Sequence, residues 1–346
     1  MKALIYTGQG RKLEWQERPD LKIEGDLEAI VRPIASSPCD LDRAILAGRT
    51  PFAQKPGFAI GHECVAEVLA IGDKVRTVRP GDVVVVPFKI SCGNCRECRA
   101  GLQAHCTRVP GGSQGIYGVP VDKDWGGLYS EEVRVPFADG MLTPTPEGVD
   151  PAHLAGISDN LTDSYISVQR GLAKHPGGRV LIIGGIESFG LFLVDCAMAL
   201  GAERVDYCDR DPARREVARA LGADVLESLP ADTDRIYHLV IFASRDIREL
   251  VPAIRALRPN GHCHIVSMFF DLQPVPLSEM FFRDASLSIG LPSVKPHVHT
   301  VANMVKCGHL HPERLITVHD ESQAIDALLS ADIKPVIVRP RLLVPR

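Results

Sequence analysis

The stretch Arg179-Val180-Leu181-Ile182-Ile183-Gly184-Gly185-Ile186-Glu187-Ser188-Phe189-Gly190-Leu191 decides the fold. A short continuous apolar run meets a glycine turn, and residues 189–200 then follow a helical period that stops at Gly201. Strand, glycine turn and helix in that order suit a dinucleotide. Such a loop needs one glycine for the tight turn, a second for close approach to a pyrophosphate and a third for helix packing. Gly184 or Gly185 supplies the first and Gly190 the third, whereas Glu187 occupies the middle place, where a carboxylate repels pyrophosphate unless the loop turns it outward.

Beyond this helix, residues 204–208 form the next strand, and Asp209 follows nineteen residues after Gly190. A carboxylate there accepts from both ribose hydroxyls and repels a 2′-phosphate, so NAD is expected over NADP. Arg210, Arg214 and Arg215 are the opposing candidates, as partners of a 2′-phosphate, and the Asp211-Pro212 pair also reads as a plain helix start. The candidate cofactor-binding residues are thus Gly184, Gly185, Gly190, Asp209 and Arg210. Residues 212–221 make a helix with Gly222 behind it, 238–243 a strand, 246–257 a helix, and Pro259-Asn260-Gly261 a turn into a strand at 263–268. This alternation implies a doubly wound parallel sheet covered on both faces, the α/β arrangement of a Rossmann cofactor domain. The first 150 residues differ in texture: short β-runs such as 60–71 and 83–88 are separated by glycine and proline, and 335–338 is another strand-like run near the end.

With 346 residues, 45% of them hydrophobic, the chain can bury a large core and make about two domains. Lys and Arg total 39 against 43 Asp and Glu, a formal charge of −4 that offers no footprint for nucleic acid or an anionic membrane. A small-molecule partner is expected. No run of about 18 apolar residues is present, and the protein is expected to be cytoplasmic.

Four of the ten cysteines crowd together as Cys92, Cys95, Cys98 and Cys106. The spacing C-x2-C-x2-C-x7-C lets one loop wrap a single ion with four thiolates, which suits a structural zinc with a closed coordination sphere. Iron–sulfur proteins use similar runs, usually followed by Cys-Pro, but Thr107 follows Cys106 here. Cys64, Cys196, Cys208, Cys263 and Cys307 read as packing residues.

Two further segments carry metal-type ligands, Pro38-Cys39-Asp40-Leu41-Asp42 and Gly61-His62-Glu63. With the four-cysteine loop, the Pro-Gly-Asp turn and the dinucleotide half, they resemble the zinc-dependent medium-chain alcohol dehydrogenase family over essentially the whole chain. The resemblance implies a mostly β, GroES-like catalytic domain at 1–158 and 291–346 with a zinc lobe at about 91–107, and a Rossmann domain at 159–290. It implies one catalytic and one structural Zn2+, and a homodimer or homotetramer. Cys39 and His62 take the places of two catalytic zinc ligands. Counting back from Tyr165, which resembles the tyrosine of the family's Thr-x-Tyr segment, gives Asp159 as the third, as in the formaldehyde dehydrogenase branch. Glu63 would be an alternate ligand, and Asp42 an acceptor that orients the site.

The sequence also departs from the family. Leu41 stands where a Ser or Thr usually takes the alcohol proton, and Ala44 where some members have a relay histidine. Asp40 sits where several members place a residue close to pyrophosphate. Asp163, Asp40, water on the metal, or a substrate that needs no relay are the open alternatives. The C-terminal histidines His297, His299, His309, His311 and His319, and the aromatic pair Tyr117 and Trp125, read as packing or surface residues, with substrate contact as the rival. The resulting expectation is an NAD-dependent zinc enzyme that moves a hydride between an alcohol, polyol or sugar and its aldehyde or ketone. Glu187, Asp40 and Leu41 motivate the alternative, a zinc-stabilised binding protein that kept the fold without turnover.

Overall fold

The computed structural model describes residues 1–8, 10, 12–109, 115–121, 125–229 and 236–343. It divides into two compact units, Met1–Thr162 with Pro292–Arg346, and Asp163–Leu291.

The first unit is built on β-structure. One sheet runs Lys12–Glu17, Lys2–Gly8, Phe58–Ala59; the larger runs Ile316–Asp320, Lys334–Val338, Ala29–Ser37, Glu63–Ile71, Val83–Val86, Thr143–Pro144, with Val133–Val135 also pairing Ala29–Ser37. The antiparallel register sets Ser37 opposite Glu63 and Ser36 opposite Cys64. That register brings the residues just after one strand and just before the other to the same end of the sheet. Lys334–Val338, nearly 300 residues later in the chain, pairs with the other edge of Ala29–Ser37 through Ile337 and Ser36. Alternation then fills the core, with Cys64, Ala66 and Val68 from one strand meeting Val84, Val86, Tyr117 and Leu128.

The second unit is a six-stranded parallel sheet in the order Asp224–Leu226, Val205–Cys208, Val180–Ile183, Tyr237–Phe242, Leu257–Ile265, Ser286–Ile289. The order reverses beside Val180–Ile183, the place where open α/β sheets bind ligands. The helix Phe189–Ala199 is apolar apart from Asp195 and is buried from Phe189 to Ala197. Pro212–Ala220 has Asp211 as its N-cap, accepting from the N–H groups of Ala213 and Arg214 at 2.8 and 3.3 Å.

Two differences from expectation have local causes. The helix over 246–257 ends early, because Leu257 already pairs with Tyr237, and the expected turn at Pro259-Asn260-Gly261 is an irregularity inside one strand, with Asn260 at a φ of 62°. Sequence reading passed over the edge strand Ser286–Ile289, which is only four residues long and contains just two apolar side chains. Cys64, Cys196, Cys208 and Cys263 are buried as expected, but Cys307 is exposed at the end of the helix Lys295–Lys306.

On the last two strands, His262 and His264 face Ser286 and Ser288, ring nitrogens and hydroxyls lying 2.8 Å apart. Burial, with Lys174 and His175 nearby, lowers His262 to about 4; burial, His262 and Arg170 lower His264 to about 4. An unfolded histidine protonates near 6.5, so the unfolded chain binds more protons between about pH 6.5 and 4 and stability falls as pH drops through that window. The wild-type thermal midpoint should therefore fall several degrees further between pH 7 and pH 4.5 than that of the His262→Gln/His264→Gln variant. Parallel curves would count against this linkage.

Candidate metal and cofactor sites

Cys39 ends the extended segment after Ala29–Ser37 and is the N-cap of the helix Asp40–Leu46. Asp42, in the first turn of that helix, accepts from the Cys39 backbone N–H at 3.0 Å through Oδ2. Its other oxygen lies 3.3 Å from Nδ1 of His62. The imidazole therefore turns Nε2 the opposite way, to 3.5 Å from Asp159 Oδ2. Cys39, His62 and Asp159 offer ligand atoms that all lie within 4.8 Å of one another. Donors about 2.0–2.3 Å from a tetrahedral ion stand roughly 3.3–3.8 Å apart, so one zinc-sized cation suits this set, and the carboxylate behind the histidine is the usual support for such a ligand.

Burial and charge act together here. The three residues are 8%, 2% and 9% exposed. Burial, then the charge of Asp159, pushes the Cys39 thiol well up. Burial opposes charge on His62, but Asp42 and Cys39 outweigh it and hold the imidazole well above its usual value. Burial likewise opposes charge on Asp159, and the hydrogen bond from His62 still holds it low. A divalent cation held here would be ligated by the Cys39 sulfur as thiolate, by the neutral His62 imidazole and by the Asp159 carboxylate.

Glu63 lies outside this ligand group. Its fully buried carboxylate accepts from Ser37 Oγ at 2.8 Å, from the Asn160 N–H at 2.9 Å and from the ammonium of Lys334. Burial raises it to about 7 against the pull of Lys334. Lys334 also donates to the carbonyl of Pro38 at 2.7 Å, so one cation fixes both the carboxylate and the chain leading to Cys39.

The four sulfurs of Cys92, Cys95, Cys98 and Cys106 also lie within 4.8 Å of one another. Backbone N–H groups point at them: Cys92 toward Cys106 at 3.3 Å, and Asn94 and Cys95 toward Cys92 at 3.4 and 3.3 Å. This arrangement stabilises thiolates and leaves no open coordination position. Among the described residues these are the two groups of possible metal ligands; His299, His311 and His319 instead pair with Asn303, Glu313 and Asp332. Tyr117 is core, donating to the Arg134 carbonyl at 2.9 Å, and Trp125 packs against the same cluster.

In the second unit, Gly185 has a φ of 114°, and a Cβ on Gly184 would lie 2.6 Å from Asp209 Oδ2 and 2.7 Å from the hydroxyl of Tyr207. Gly190 rests on the same tyrosine, where a Cβ would come within 3.0 Å of the ring. Asp209 is nearly enclosed and accepts from five donors: Tyr207 Oη at 2.6 Å, the N–H groups of Gly185 and Asp211 at 3.1 and 2.8 Å, and Nε and Nη2 of Arg214 at 2.8 and 2.9 Å. Burial opposes its charge, but Arg214 and Tyr207 prevail and hold it low. Arg210 pairs with Glu249 at 3.0 Å, and Arg215 donates to the carbonyls of Asp209 and Arg210.

Residues 25–147 match the alcohol dehydrogenase GroES-like domain. The chain is 33% identical over 307 residues to a glutathione-independent formaldehyde dehydrogenase of Pseudomonas aeruginosa, spanning 85% of this chain and 75% of that one. It belongs to the zinc-dependent medium-chain alcohol dehydrogenase family. A probable zinc-binding alcohol dehydrogenase of Mycobacterium tuberculosis is 28% identical over 92% of this chain and 81% of its own. The fold matches alcohol dehydrogenase TADH from Thermus sp. ATN1 with a TM-score of 0.89 at 29% identity, over 98% of this chain and 99% of that one. The protein is an oxidoreductase of the NAD(P)-dependent zinc alcohol dehydrogenase type, and nothing among these relatives favours the non-catalytic alternative.

Sequence reading missed three residues of this dehydrogenase that the structure makes prominent. Lys334 had a signal, a lysine heading the apolar run Lys334–Val338, and Tyr207 had one in its place two residues before Asp209. Asn160 had none beyond following Asp159. Leu41 packs half-buried against the cluster containing Leu46 and Tyr129, and Asp163 accepts from Ser167 Oγ at 3.3 Å. Removing Lys334 leaves Glu63 buried without its cation. Lys334→Met should therefore cost about 3–5 kcal/mol in chemical denaturation, with part recovered in the Lys334→Met/Glu63→Gln double variant. A wild-type midpoint for Lys334→Met would show that the pair does not stabilise the sheet end.

Proposed function

We propose that Cys39, His62 and Asp159 hold the catalytic zinc ion, with Asp42 orienting His62, and that Cys92, Cys95, Cys98 and Cys106 hold a structural one. The convergence of thiol, imidazole and carboxylate within 4.8 Å, with a carboxylate behind the imidazole, carries this reading. A bound zinc supplies a Lewis acid that draws charge from an alcohol oxygen. The protein's own part is to exclude water by burial, to keep Nε2 of His62 facing the ligand group, and to keep Glu63 engaged with Lys334. A carboxylate in the third place donates less charge than a thiolate would, which supports turnover without a hydroxyl at Leu41.

For the cofactor we propose NAD. A 2′-phosphate beside Asp209 would meet a carboxylate fixed by five donors, and Arg214 and Arg210 are already engaged with Asp209 and Glu249. The substrate we propose is an uncomplexed small alcohol, polyol or sugar. The ten unpaired cysteines support a cytoplasmic location, and among the described residues no helix is long and apolar enough to cross a membrane. A homodimer or homotetramer is supported by the edge strand Ser286–Ile289 and the apolar side chains near it in sequence: Ile289, Phe281 and Phe282 are 62%, 79% and 77% exposed.

A panel of alcohols, sugars and aldehydes followed at the NADH absorbance tests the activity. Wild type should turn over at least one class and carry two zinc equivalents, whereas Cys39→Ala should carry one and lose at least about 100-fold in kcat/KM. Two equivalents in Cys39→Ala would sink the ligand assignment. Asp209→Ala should raise kcat/KM with NADP relative to NAD, and an unchanged ratio would speak against the proposed preference. For assembly, light scattering should find Phe281→Glu/Ile289→Lys smaller than wild type.

A further inference from the structure

Asn160 is buried and fixed from three sides. Its backbone N–H donates to Glu63 Oε1 at 2.9 Å, the Cys39 thiol donates to its Oδ1 at 3.2 Å, and its Nδ2 donates to Asp40 Oδ2 at 3.5 Å. Glu63 is itself immobilised by Ser37 and Lys334, so the residue that presents this carboxamide is set by the end of the sheet and not by the sulfur.

A carboxamide carries an acceptor and two donors on one short stem. Facing a thiol, it accepts through oxygen. Facing a thiolate, a half-turn about Cβ–Cγ presents N–H instead, and a hydrogen bond to an ionised acceptor is stronger than one to a neutral partner. The half-turn gives up the bond to Asp40, which at 3.5 Å is the longest of the three, and brings the amide oxygen to that side, where Asp40 meets it only by carrying a proton. We infer that Asn160 is a positioning residue for Cys39: its amide holds the sulfur in place and, by donating to the thiolate, limits the negative charge that the sulfur gives to a bound metal ion. The inference rests on Cys39 being a metal ligand, as proposed above.

Cobalt(II) substitution of the full-length protein tests it without reference to turnover. The spectrum of Cys39→Ser reports the tetrathiolate lobe alone, and subtracting it leaves the charge-transfer band of the Cys39 sulfur. In Asn160→Ala that band should move to longer wavelength, because an undonated thiolate is more electron-rich, and the zinc-loaded variant should lose this equivalent to a chelator about tenfold faster. Asn160→Asp keeps the shape but offers no donor when ionised, and should show the same two changes. Unchanged lobe bands show that a variant is folded; if Asn160→Ala disturbs them, Asn160→Asp carries the test. A wild-type band position with wild-type zinc loss in the folded variants overturns the role of Asn160. A Cys39→Ser spectrum identical to wild type overturns the ligand reading, and this inference with it.

Discussion

One buried carboxylate holds the candidate catalytic site together. Asp42 grips the backbone of Cys39 with one oxygen and faces the inner nitrogen of His62 with the other. The two residues are more than twenty positions apart in the chain, and this one side chain bridges them. Asp42 can serve both because it sits in the first turn of the helix that Cys39 caps, where a carboxylate is favoured by the exposed N–H groups. The requirement for a carboxylate at that point is thus at once a helix-start requirement and a ligand-orienting one.

Charge is the second constraint. Cys39, Asp40, Asp42, Glu63 and Asp159 gather potential negative charge at one buried end of a sheet, with Lys334 and His62 as the facing cations. An isolated buried charge is far too costly to keep, so each must find a partner or a proton. Glu63 takes Lys334, Asp42 takes His62, and Asn160 links Cys39 to Asp40. What is left over is a thiol and a carboxylate beside one imidazole nitrogen, a donor set that a divalent cation completes.

The nucleotide loop shows the same economy in another form. Its glycines are required less by a pattern than by Tyr207, whose ring and hydroxyl fill the space a Cβ on Gly184 or Gly190 would need. The hydroxyl then donates to Asp209, and Arg214 closes over the same carboxylate. Loop and acid are therefore one packed unit, with Gly184 and Gly190 seated on Tyr207 and Asp209 behind them.

Periodicity, glycine punctuation and cysteine spacing were enough for the doubly wound sheet and the four-sulfur lobe, because those signals are local and survive without knowledge of contacts; the resemblance to the family came from the order of the Cys39, Gly61-His62-Glu63 and four-cysteine segments. Strand ends were legible to within a few residues. The edge strand Ser286–Ile289 and the strand beginning at Leu257 were not, since both exist by pairing with neighbours distant in sequence. Only the tertiary structure decided that Glu63 faces Lys334, that Asp209 is enclosed by Arg214 and Tyr207, and that Asn160 touches the Cys39 sulfur. Each of those contacts depends on sheet register or on a turn bringing together side chains whose types alone allow many partners, and register is a property of the folded whole.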